Sequence, residues 1–201
     1  MLDDCRWRVP ELSPDGSHER AGYELVTDGE APGALREGLF AAEEYRNGAE
    51  PVLMALNPVF YELIWQGRKT HEFRRRFLAG CPVRWFVYLN APVSRLVAVI
   101  DLGPAIVDVP ERIAAIAERA GVGNGASVLE YVRDLERAFA IPILAAAEYP
   151  GLPVAKLRAE LGGFHPPQGY VRLRQHPRLL AVCEQMAAGT PVRTLRVRTG
   201  G

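Results

Sequence analysis

Ala55-Leu56-Asn57-Pro58-Val59-Phe60-Tyr61-Glu62-Leu63-Ile64-Trp65-Gln66-Gly67-Arg68-Lys69-Thr70-His71-Glu72-Phe73-Arg74 is the stretch on which the fold turns. Asn57 can cap a helix through its side-chain oxygen, and Pro58 suits the first helical position, where no amide hydrogen is needed. The helix runs to about Gln66 with Phe60, Leu63 and Ile64 turned inward, and Gly67 stops it. Lys69–Arg74 then reads as a strand. Side chains alternate along a strand, so Glu72 and Arg74 share a face, about 7 Å apart from two residues of rise, while Phe73 points into the core. Lys69 sits at the turn into the strand, where its long side chain can reach the same spot. An ammonium, a carboxylate and a guanidinium together make a polar pocket that suits a nucleobase or nucleotide. The carboxylate would accept from an amino edge, and the cations would meet carbonyl or phosphate oxygens. His71 falls on the opposite strand face, and His165 lies in a loop with no carboxylate near it in sequence.

Working outward, Val52–Leu56 is an apolar run of strand length. Arg84–Leu89 and Leu96–Leu102 are further strands, joined by a turn at Asn90-Ala91-Pro92. Pro110–Ala120 and Ser127–Arg137 read as helices around a Gly121–Gly125 linker. That linker follows a helix, so it is no nucleotide fingerprint. Phe139–Tyr149 reads as a strand in which Pro142 implies an edge or a bulge. Pro153–Leu161 is a short helix, Gly169–Arg174 a strand, His176–Ala187 a helix and Thr194–Arg198 a last short strand. Irregular spacing of the helices argues against an alternating parallel sheet, so the expected class is α+β, an open mixed β-barrel with flanking α-helices.

The run from Ala55 to Arg74, with Gly67, Lys69, Glu72 and Arg74 in the order Gly-x-Lys-x-x-Glu-x-Arg, resembles the signature of the ASCH family (activating-signal-cointegrator homology domains). Val87-Tyr88-Leu89-Asn90-Ala91-Pro92 is similar to that family's strand ending in tyrosine and a small-polar turn. Leu96–Gly103 is similar to its next strand, and Pro166-Pro167-Gln168-Gly169-Tyr170 to its C-terminal strand entry. The resemblance spans roughly residues 51–175. It implies a PUA-like fold with a cleft where the signature strand meets the first helix, and an RNA or nucleotide-like ligand. Lys69, Glu72 and Arg74 would line that cleft, with Asn57, Tyr88, Gln168 and Tyr170 as further contacts. Some relatives resemble amidohydrolases of acetylated cytidine, and others are ribonucleases. The alternative function is therefore a hydrolase of a modified nucleoside or small amide, amidohydrolase- or ribonuclease-like, using Lys69 and Glu72 as an acid–base pair. In the amidohydrolases a lysine and a threonine of this motif act together. Lys69 matches the lysine, but Glu72 holds the threonine position, so that hydroxyl nucleophile is missing.

The 201 residues have ordinary globular composition, 48% hydrophobic and 24% charged, enough chain to form a core without disulfides or metal. Cys5, Cys81 and Cys183 are widely spaced and odd in number, so neither a disulfide framework nor a zinc site is expected, and no cofactor is implied. The longest apolar stretch, Ala140–Ala147, is short and interrupted by Pro142, and Met1–Asp4 is acidic where a secretory signal is basic. The expected protein therefore touches no membrane and is cytoplasmic. Net charge is zero overall, yet residues 1–50 carry −7 and residues 51–201 carry +7. Such a split suggests an anionic partner, or one part covering the other. The expected organisation is an acidic N-terminal extension, 1–50, with a helix over Pro32–Arg46, packed on a domain formed by 51–201.

Overall fold

The computed structural model describes residues 23–24, 48–121 and 123–197. The helix expected over Pro32–Arg46, and nearly all of the 1–50 extension, lie outside the described residues. The exception is a short strand, β1 (Tyr23–Glu24), which pairs antiparallel with the last strand.

From residue 48 the order is β2 (Glu50–Leu56), α1 (Pro58–Trp65), β3 (His71–Arg74), β4 (Val83–Leu89), β5 (Arg95–Leu102) and β6 (Ile106–Asp108). Then come α2 (Pro110–Ala120), α3 (Asn124–Val132), β7 (Ala138–Pro153), α4 (Val154–Leu161), β8 (Tyr170–Arg172), α5 (Pro177–Ala187) and β9 (Arg193–Val197). The strands run in the order β1-β9-β7-β5-β4-β2-β8, with β3 and β6 both added to β7. Only β2 and β4 are parallel among the described pairs. A parallel pair needs a crossover, here α1 with β3. The architecture is the expected α+β one, a mixed, curled half-barrel with five flanking helices. No helix among the described residues is long and apolar enough to cross a membrane.

β2, β4 and β5 are buried on both faces, which is why they read as continuous apolar runs. Val52, Met54, Trp85, Val87 and Ile100 face the barrel interior, which Tyr61 and Ile64 of α1 help to fill. Leu53, Phe86, Tyr88 and Val99 face the other way, onto Leu157 of α4 and Cys183 and Met186 of α5. A third cluster joins α2 and α3 to β7 through Ile113, Ala117, Val128, Val132 and Ala140, with Phe73 of β3.

Several boundaries differ from the sequence reading, each for a local reason. The strand expected from Lys69 begins at His71, because the amides of Arg68 and Lys69 still donate to Leu63 O, at 2.8 and 3.0 Å. The helix expected over Ser127–Arg137 occupies Asn124–Val132. The Glu118 carboxylate accepts the amides of Gly123 and Gly125, which starts the helix early. β7 extends to Pro153, and its register against β5 shifts between Ile143 and Ala145, while Pro142 itself pairs in regular register with His71 of β3. After Arg172 the expected strand turns into a 3₁₀ turn, Leu173–Gln175. β6 was not anticipated, since its three residues lie on the surface and show no alternation.

Candidate functional site

The end of α1 and the start of β3 set the geometry. Asn57 caps α1, its Oδ1 accepting from Val59 N at 2.9 Å, and Gly67 leaves the helix in the left-handed region with φ 70°. The chain then wraps back over Leu63 and enters β3 beside β7. Directly opposed residues in an antiparallel pair share a face. Glu72 stands opposite Ile141, whose side chain belongs to the barrel interior, and Phe73 stands opposite Ala140, which faces α2 and α3. β3 therefore places a carboxylate inside the barrel and an aromatic ring outside it.

Glu72 is the one buried charged residue among the described ones, at 6% exposure. Lys69 Nζ lies 3.0 Å from its Oε2, and Arg74 Nε lies 2.9 Å from its Oε1. The Lys69 ammonium also sits 5.9 Å from the ring centres of both Phe60 and Phe73. Burial alone pushes the Glu72 carboxyl up, but the charges of Lys69 and then Arg74, with the hydrogen bonds that accompany them, outweigh it. The net result holds the carboxyl below its usual range. Glu72 is thus ionised at neutral pH, an acceptor and not a proton donor.

Of the other sequence candidates, Asn57 is exposed at the helix cap and Gln168 is exposed ahead of β8. Tyr170 is half-buried at the barrel seam, edge-on to Phe77 with ring centres 5.3 Å apart. Tyr88 is not brought to the cluster. Alternation along β4 turns it to the outer face, where it is 2% exposed against Phe164, and a buried ring cannot offer a stacking surface. His71 is half-buried, with Nδ1 2.8 Å from Thr70 Oγ1 and its ring stacked near Phe73. Burial, and then the positive charges of Lys69 and Arg119, lower its pKa. His165 is exposed.

Two further features went unread in the sequence. Arg75 turns away from the cluster and grips α3: its guanidinium meets both Asp134 carboxylate oxygens at 2.7 Å and Tyr131 O at 2.6 Å. An open cleft of about 370 Å³ also lies at the opposite end of α1 from Lys69, lined by Tyr61, Glu62, Arg95 and Glu148 among others. Those residues are scattered over α1, β5 and β7, so no local pattern could have grouped them.

Solved structures similar in fold include those of the ASCH protein of Zymomonas mobilis. A serine-to-alanine variant of it superposes with a TM-score of 0.58 at 21% identity, covering 69% of this chain and 97% of that one. The parent structure gives 0.55 at 22% identity, covering 66% and 95%. The chain has the ASCH fold. Its described core accounts for nearly the whole length of the Zymomonas protein. No protein-family model matches the sequence, and no curated protein does.

Proposed function

We propose that the chain is an ASCH-family protein that binds RNA or a nucleotide, with Lys69, Glu72 and Arg74 lining the ligand site. The observation that carries this reading is the buried Glu72 carboxylate held between two cations on the signature strand. A buried ion cluster contributes little net stability, since desolvation offsets most of the attraction. A ligand gives it a use. Arg74 turns Nε to Glu72, which leaves the Nη edge of its guanidinium for phosphate or carbonyl oxygens. Ionised Glu72 accepts from a base amino group. Asn57, Gln168 and Tyr170 stand as outer contacts.

The hydrolase alternative draws less support. General acid–base work asks for a pKa near neutrality, and both cations drive Glu72 the other way.

Fluorescence anisotropy with labelled single-stranded RNA tests the proposal. Affinity should fall steeply with added salt, because phosphate contacts release counterions. Lys69→Gln and Arg74→Gln should each weaken binding about tenfold, the value of one charge-assisted contact. If neither RNA nor mononucleotides bind, the reading is wrong. Cleavage of the RNA, or release of acetate from an acetylated cytidine in the same incubations, would favour the hydrolase instead.

A further inference from the structure

The open cleft at the far end of α1 carries its own chemistry. It borders the first half of α1, from Pro58 to Glu62, whereas Lys69 lies beyond the other end of that helix. Glu62 and Glu148 form part of its wall, and both are held by one guanidinium. Arg193 Nη2 meets Glu62 Oε1 at 3.1 Å, and Arg193 Nε meets Glu148 Oε2. Arg193 in turn packs 4.2 Å over the Trp65 ring. Arg193 thus draws the two carboxylates together at the rim of the cleft. Arg95 also lines the cleft, anchored by a 3.0 Å hydrogen bond from Nη1 to Pro150 O. Tyr61 forms part of the wall and is 2% exposed, with its hydroxyl turned toward Glu148 and Trp65. Burial and the nearby Glu148 charge raise its pKa, so it stays protonated. Val93 and Tyr149 supply apolar wall.

We propose that this cleft is a second binding site, independent of the Lys69 cluster. Its ligand is a small molecule bearing an amino donor, held by Glu62 and Glu148, and an anionic group, held by Arg95, with an apolar or flat middle against Val93 and Tyr149. The volume lies at the lower end of the usual range of about 300–1,000 Å³ for ligand pockets, and suits one amino acid or one nucleotide.

Calorimetric titration with L-phenylalanine and with cytidine monophosphate distinguishes the two sources of that chemistry. Saturable binding of either compound that persists in Lys69→Gln and is lost in Val93→Trp supports the site. Its amine-lacking counterpart, N-acetylphenylalanine or uridine monophosphate, should bind about tenfold more weakly, the cost of one lost hydrogen bond to a charged group. Arg95→Gln should weaken binding to a similar degree, and Val93→Trp, at an exposed position, should fill the cleft and abolish it. Glu62→Gln, also exposed, gives a second variant that keeps the fold. Lys69→Gln should leave this binding unchanged while it weakens RNA binding, so failure of one site is separable from failure of the other. The proposal is overturned if neither compound binds at millimolar concentration, or if Val93→Trp binds as the parent does.

Discussion

Lys69 Nζ and Glu72 Oε2 meet at 3.0 Å across the step from coil to strand, three residues apart. Had β3 begun at Lys69, alternation would have sent the two side chains to opposite faces. The delay, imposed by the Arg68 and Lys69 amides bonding back to Leu63 O, is what lets the ammonium reach the barrel interior.

That relationship predicts a large effect from removing the cation. Lys69→Gln leaves the Glu72 carboxylate with Arg74 alone in a largely buried place, and breaking such a cluster costs about 3 kcal/mol. Urea unfolding should show the loss as a lower midpoint with an unchanged slope.

The acid range reports on Glu72. Its folded pKa lies below its ordinary value, so on acidification the unfolded chain takes up the proton first. The stabilisation is complete above the ordinary carboxylate range and disappears as pH drops toward the lowered folded value. Glu72→Gln should flatten this dependence in unfolding midpoints measured between pH 6 and pH 3, a span of about one unit either side of the usual carboxylate values.

His71 acts in a higher window. Its folded pKa also lies below its ordinary value, through burial and then the charges of Lys69 and Arg119. Between that lowered value and the ordinary histidine value of about 6.5, the unfolded chain binds more protons, so stability rises with pH. His71→Gln should remove that part of the rise, and a parent protein equally stable on both sides of the window would contradict it.

Gly151 gives a backbone test. It has φ +74°, and an added Cβ would stand 2.5 Å from Leu96 O. Gly151→Ala combines a left-handed conformation with a clash against main chain, and should cost about 3 kcal/mol. It should also disturb the cleft wall at Tyr149 and Pro150 before it affects the Lys69 cluster.

Arg75 predicts a local result. Lysine cannot reproduce its two-pronged contact with Asp134 together with the Tyr131 carbonyl. Arg75→Lys should speed amide exchange in Asn124–Val132 while leaving exchange in β4 and β5 unchanged.

Much of this was legible in residue order. The cap at Asn57, the stop at Gly67, and the shared destination of Glu72 and Arg74 all follow from local rules that tertiary contacts did not override. The depth of Glu72 was not legible, because strand alternation says which residues share a face but not whether that face meets water. Tyr88 misled for the same reason: both faces of β4 are covered, so a tyrosine there carries no sign of which side holds the ligand. The cleft was invisible because Glu62, Arg95 and Glu148 meet only after three distant segments have paired.

β7 pairs with β3, β5, β6 and β9, so among the described residues the backbone partner of β3 lies far downstream of it. On the ribosome, β2, α1, β4 and β5 emerge and can begin to associate while His71–Arg74 is still waiting. The nascent chain must keep that arginine-flanked segment from wrong partners until Ala138–Pro153 arrives. Long-range pairing of this kind slows folding, and the run of charge around β3 is what guards the interval.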